Sequence, residues 1–311
     1  MVLSDGSAIH NLNHFEVGWQ QIQATNTTLL TQLYCGGQVP VDGTELNELM
    51  GGSASAQVMH GGGGNDVMFA NGGADTVFGD AGADYISAGL DDGQNDAFDG
   101  GADNDAISYS GTGAVTINLD AGFATGVTVG FDTLVSFELA FGSWFADTII
   151  GSNNNNTLSG IAGDDIIFGQ NGNDAVYGGA SKDQLFGGDG ADRLDGGSQK
   201  DLLYGGAGKD VFDFNAVTDS RAGAARDVVG DFRHSIDKID VKDIDANTGA
   251  GGNQSFAFIG TQGFHHVEGE LRFQYVGAKT IISGDINGNG VADFQIELTG
   301  HRTLTASDFI L

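Results

Sequence analysis

An aspartate recurs at one fixed place in a nine-residue unit at Asp66, Asp75, Asp84, Asp96, Asp105, Asp147, Asp165, Asp174, Asp183, Asp192, Asp201 and Asp210. Carboxylates at such constant spacing are hard oxygen ligands. They suit a hard cation of flexible geometry, calcium first of all, with turn carbonyls completing the shell. Zinc is disfavoured, because the units hold no Cys and His60 is the one His near them. The clearest units read GIAGDDIIF (160–168), GQNGNDAVY (169–177), GGDGADRLD (187–195) and GGAGKDVFD (205–213). Their common pattern is GGxGxDxUx, where U is large and apolar. From 142 to 213 it runs without interruption, and U is Ile149, Leu158, Ile167, Val176, Leu185, Leu194, Leu203 and Phe212.

The period dictates what must hold these carboxylates. Nine residues divide into a six-residue turn, with glycines that permit left-handed backbone, and a three-residue strand. Side chains alternate across a strand, so U points inward when the acid at position six closes the turn. Two units make one coil, and turns 18 residues apart stack about 4.8 Å from one another. One stack holds Asp147, Asp165, Asp183 and Asp201; the other holds Asn156, Asp174, Asp192 and Asp210. Turn propensity alone explains an Asp, but not acidity at the same position twelve times. A phosphate loop is excluded in GGAGKD, where Asp210 stands in place of the required Ser or Thr.

A rougher block spans 61–108. GGGGNDVMF, ANGGADTVF and GDAGADYIS keep the pattern, AGLDDGQNDAFD carries an insertion, and GGADNDAIS has Asp103 where the fourth-position Gly belongs. Upstream, GTELNELMG and GSASAQVMH keep register without the Asp and read as metal-free coils that begin the solenoid.

Both blocks resemble the RTX (repeats-in-toxin) nonapeptides of proteins exported by Gram-negative type I secretion. The resemblance implies an all-β fold, a right-handed parallel β-roll (RTX β-solenoid) with several calcium ions between successive turns. The expected organisation is an N-terminal lead-in (1–60), a first roll block (61–108), a strand-rich spacer (109–141), a second roll block (142–213) and a C-terminal β-rich cap (214–311). The spacer breaks the period, and Val115, Ile117 and Leu119 alternate, so an excursion of strands that rejoins the roll at Gly142 is expected.

From Phe214 the text DFRHSIDKIDVKDIDANTG, SFAFIG, GELRFQY, GDINGNGVADFQIEL and LTASDFIL is similar to the serralysin C-terminal domain. That similarity implies a cap on the last coil and a type I secretion signal. The terminal Asp308-Phe309-Ile310-Leu311, acidic and then apolar, resembles the end of such substrates, so the type I apparatus is the expected partner and the extracellular medium the expected location. Asp285, Asn287, Asn289 and Asp293 with Gly290 follow the start of an EF-hand loop. Ile296 occupies its twelfth position, so a simpler calcium loop and a turn satisfied by amides both stand as readings.

The composition bounds the function. The chain of 311 residues carries 42 acidic against 12 basic side chains, a formal net charge of −30, with no Lys or Arg before Lys182. Nucleic acid is a poor partner for such a surface. The 53 Gly and single Pro fit periodic turns and not collagen. Cys35 is alone and reads as a small apolar residue. No apolar run reaches the roughly 20 residues of a membrane-spanning helix, and Met1 to Trp19 lack the basic and apolar regions of a cleavable signal. Catalytic text is sparse. His10-Asn11-Leu12-Asn13-His14 has the spacing of a zinc-protease helix, but Asn11 replaces the general base and Gln20 the third His. There is no G-x-S-x-G elbow. The expectation is a secreted, non-enzymatic calcium-binding protein whose roll folds after export. Two alternatives stand: the export and folding half of a serralysin-like protease or other RTX enzyme, and a calcium-dependent adhesin or surface-layer component.

Overall fold

The computed structural model describes residues 31–32, 41–89 and 93–311. The His10–Gln20 segment, Cys35 and residues 90–92 of the inserted unit lie outside them. Among the described residues the chain is almost wholly β, with one short 3-10 turn at Ala306–Asp308. Its strands alternate between two sheets of 12 and 16 described strands.

Periodicity sets the register. Ile149, Ile167, Leu185 and Leu203 stand side by side in one sheet. Leu158, Val176, Leu194 and Phe212 do so in the other. All eight are 0% exposed. Each buried aliphatic or aromatic side chain contributes about 1.5–3 kcal/mol, so this double row is the main drive for coiling. The three-residue strands expected from the unit occur in the first block, as in Val67–Phe69 and Thr76–Phe78. In the second block they lengthen to Thr157–Ala162 or Gln184–Gly190. There the turns are of equal length, so their backbones stay in register and bond coil to coil, as Gln170 does beside Gly188.

The spacer is no excursion. Gly130–Val135 pairs in parallel with Ala97–Asp99, and Val115–Asn118 pairs in parallel with Thr148–Ile150. Phe123–Gly126 joins the two by antiparallel pairing. On the other sheet Leu139–Phe141 lies between Ala106–Ser108 and Thr157–Ala162. The solenoid is therefore continuous through 109–141. Val115, Ile117, Ala124 and Leu134 are buried, and they fill the interior where position eight would otherwise do so.

The C-terminal segment prolongs both sheets. Leu202–Gly208 is followed across the sheet by Val228–Val229 and then Phe294–Thr299. Lys279–Asp285 and Glu270–Val276 complete an antiparallel meander beyond it. In the other sheet Val211–Asp213 is followed by Lys238–Asp240 and Phe309–Ile310. Phe232, Ile244, Phe256, Phe273, Phe294 and Leu304 join the roll's core, so the last coil does not expose its apolar interior.

Candidate metal centre

The position-six acids form two ladders, one along each row of turns. In the first, the backbone N–H of Asp147 donates to Asp165 Oδ1, that of Asp165 to Asp183 Oδ1 and that of Asp183 to Asp201 Oδ1, each at 2.8 Å. In the second, Asn156, Asp174 and Asp192 donate in the same sense to Asp174, Asp192 and Asp210. The first block continues both ladders. Asp66 donates to Asp84 and Asp84 to Asp105; Asp75 donates to Asp96. The insertion widens the sequence separation from 18 to 21 residues without breaking the pairing.

One oxygen of each carboxylate is thereby fixed. The other, Oδ2, is buried and takes no hydrogen bond in Asp66, Asp84, Asp105, Asp165, Asp174, Asp183, Asp192 and Asp201. Burying an ionised oxygen without a donor is costly, so these atoms ask for a cation. The turn is shaped around them. A Cβ added at Gly160 would stand 2.0 Å from Asp165 Oδ2, and one at Gly178 2.5 Å from Asp183 Oδ2. The first Gly of the unit thus serves close approach of the carboxylate, and left-handed backbone falls to positions two and four. Asp103, with φ 80°, adopts that backbone in place of Gly, as Asp can.

Burial, opposed by the donated N–H and reinforced by neighbouring acids, pushes the carboxyls far above their usual range. Asp84 and Asp165 rise to about 8, and Asp66, Asp105, Asp174, Asp183 and Asp201 to about 7. Two ionised carboxylates one strand spacing apart repel by about 3.5 kcal/mol at an effective dielectric constant of 20. A cation between them reverses that sign. Among the described residues no three His, Cys, Asp or Glu side chains converge, so a bound ion takes much of its shell from backbone carbonyls. Oxygen-only donors of this kind fit a hard cation.

The ladders also recruit acids outside the repeats. Asp96 donates to Asp132, Asp105 to Glu138, Asp201 to Asp227 and Asp210 to Asp237. Asp227 Oδ2 is another buried oxygen without a partner, and burial followed by the charge of Asp201 pushes its carboxyl up to about 9. Three of the four carry a signal: Asp132, Asp227 and Asp237 each stand two residues before a buried Leu134, Val229 or Ile239. That Asp-x-apolar tripeptide persists where the framing glycines do not.

The C-terminal loop is built otherwise. Asp285 accepts backbone N–H groups from Gly288 at 2.8 Å and Gly290 at 2.7 Å. Asp293 accepts from the Ile286 N–H and the Asn287 side-chain amide. The Asn289 side chain accepts from Val291 N–H. Every carboxylate oxygen of Asp285 and Asp293 thus has an N–H donor, unlike the Oδ2 atoms of the repeats. Asp308 is fully buried, accepting from Ser235 and Thr305 N–H.

Peptidase M10 serralysin C terminal is the family whose model matches this chain, over residues 75–311. Among solved structures, the AlgE6R3 subunit of a mannuronan C5-epimerase from Azotobacter vinelandii is 26% identical, with a TM-score of 0.31 over 54% of this chain and 80% of that one. The AlgE6R2 subunit of the same enzyme is 24% identical, with a TM-score of 0.29 over 52% and 91%. The extracellular lipase LipA of Serratia marcescens is 15% identical, with a TM-score of 0.22 over 90% of this chain and 42% of that one. No curated protein sequence matches. With 237 of its residues (75 through 311) matched and an RTX-type β-roll for a fold, the chain belongs to the peptidase M10 serralysin C-terminal family.

Proposed function

We propose that this chain is a secreted calcium-binding protein whose β-roll folds on meeting extracellular calcium after type I export. The observation that carries the reading is the set of buried Oδ2 atoms without donors, repeated coil after coil on oxygen-lined turns. Calcium, when bound, supplies the positive charge that lets successive carboxylates stay ionised. The chain's own residues do the rest. Asp165, Asp183 and Asp201 hold one oxygen on the preceding coil and turn the other toward their own turn. In cytosol, where calcium is scarce, the ionised ladders favour the open chain. Extracellular modules work at about 10⁻⁴ to 10⁻³ M calcium, and an ion that binds only the folded coil stabilises it by mass action.

The reading of Asp308–Leu311 as an export signal belongs to the same switch. In the folded chain Asp308 is buried and Phe309–Ile310 is the edge of a sheet. The tetrapeptide is accessible in the unfolded chain, which is the form a type I channel takes. No described helix is long and apolar enough to cross a membrane. A second reading, favoured by a family match to the C-terminal part of a peptidase, has the chain as the export and folding half of a larger enzyme.

The deciding experiment titrates calcium into EDTA-treated protein and follows far-UV circular dichroism, with magnesium in parallel. A cooperative gain of β signal near millimolar calcium, absent with magnesium, is expected. A chain fully folded in EDTA and indifferent to calcium would overturn the switch. Calcium-dependent export and folding of a protease catalytic domain fused ahead of the chain would favour the second reading.

A further inference from the structure

The two ladders end differently. At the last step of one, Asp201 and Asp227 face each other with Oδ2 atoms that no donor reaches. At the last step of the other, Arg233 stands between Asp210 and Asp237. Its Nη2 lies 3.0 Å from Asp210 Oδ2 and 2.9 Å from Asp237 Oδ1. The same Nη2 donates to the Gly208 carbonyl at 2.7 Å, and Nε to Asp237 Oδ2 at 3.2 Å. Gly208 is position four of the last repeat. One guanidinium thus satisfies two carboxylates on successive turns and a turn carbonyl. Those are the oxygens that a cation would claim one coil earlier, where Asp192 Oδ2 has no partner.

We propose that Arg233 is a tethered cation in the place of a metal ion, closing the Asp210–Asp237 step without calcium while the Asp201–Asp227 step across the coil takes an ion. This rests on the calcium reading above and adds its regulation: one end of the roll is held independently of the ion that closes the rest. Arg suits the task because its planar fork presents several donors in fixed geometry and is always charged. A lysine would offer one ammonium and satisfy fewer of these oxygens.

The test compares the full chain with its Arg233→Gln variant by calorimetric calcium stoichiometry and by urea unfolding at the wild type's calcium midpoint and in saturating calcium. The variant should take up one more ion per chain than wild type. Its folding equilibrium should fall at least tenfold at that midpoint and recover most of that in saturating calcium. Equal ion numbers with the same loss in both buffers would make Arg233 an ordinary ion pair and overturn the inference. A variant unfolded at every calcium concentration would also overturn it, since the ion then could not do the guanidinium's work. Hydrogen exchange on the wild-type chain gives an independent reading. The amides of Asp210 and Lys238 should be protected at lower calcium than those of Asp165 and Asp183; protection at one common concentration would sink the idea. A wild-type chain that takes up no calcium would instead remove the calcium reading, and this inference with it.

Discussion

At the scale of a residue, the position-six carboxylate has two opposed effects, and Asn156 shows them apart. It occupies the same place in the ladder as its acidic neighbours, donates its N–H to Asp174 and keeps the fold without a charge. Asp183→Asn should therefore change sign with conditions. In EDTA near pH 8 it should stabilise by about 1–3 kcal/mol, by removing repulsion toward Asp165 and Asp201. In millimolar calcium it should destabilise and lower the stoichiometry by up to two ions. More residual β signal than wild type in EDTA, with a lower urea midpoint in calcium, checks the sign. Gly178→Ala brings a Cβ to 2.5 Å from Asp183 Oδ2 and 2.6 Å from the Gly196 carbonyl. It should cost about 1–3 kcal/mol in either buffer and weaken calcium binding at that turn. The inward position of the apolar residues was legible from the period, as was the recurrence of an acid in each turn; the burial of those acids was not. The role of the first Gly was not, since a repeat cannot say whether Gly serves φ or close approach.

At the scale of an element, the ladder makes stability depend on pH in the unusual direction. Asp165 and Asp84 titrate near 8 and Asp66, Asp174 and Asp183 near 7 in the calcium-free fold, against 3.8 ordinarily. A carboxyl raised on folding binds its proton more tightly when folded. Its stabilising effect is complete below about pH 3.8 and is lost as pH rises through 7 to 8. The calcium-free roll should thus gain structure on acidification from pH 8.5 to 5, read by circular dichroism, and calcium binding at pH 7 should release protons. A roll equally folded at both pH values in EDTA would contradict the burial of these groups. The ladder was legible only where glycines framed it. Asp132, Asp227 and Asp237 escaped because their turns have other lengths. The spacer escaped because alternating strands look alike inside or outside a sheet until their partners are known.

For the whole molecule, the closure of the roll by its own C-terminal strands separates two sources of stability. Phe309 is buried beside Phe258, with ring centroids 5.0 Å apart. Phe309→Ala should cost about 3 kcal/mol in calcium-loaded protein, visible as a lower urea midpoint, and should leave the number of bound ions unchanged. That the cap is β-rich was legible from its resemblance to the serralysin C-terminal domain. The parallel continuation of the roll by its strands was not, because it joins residues as far apart as Val228 and Glu297.

The N–H donations along the ladders all run one way. Every coil gives its hydrogen to a carboxylate that comes later in the chain, ending on Asp227 and Asp237 in the cap. The stack has a growing end and a finished end, as a polar filament does. On these ladders a folded coil presents its side-chain acceptor on its N-terminal face, whereas its backbone carbonyls also accept from the coil that follows. The side-chain acceptors at the finished end belong to the cap, so a roll built from that end would find each coil's partner already in place. Export of the C-terminus first, under the proposed function, would deliver that end before the coils that pair with it.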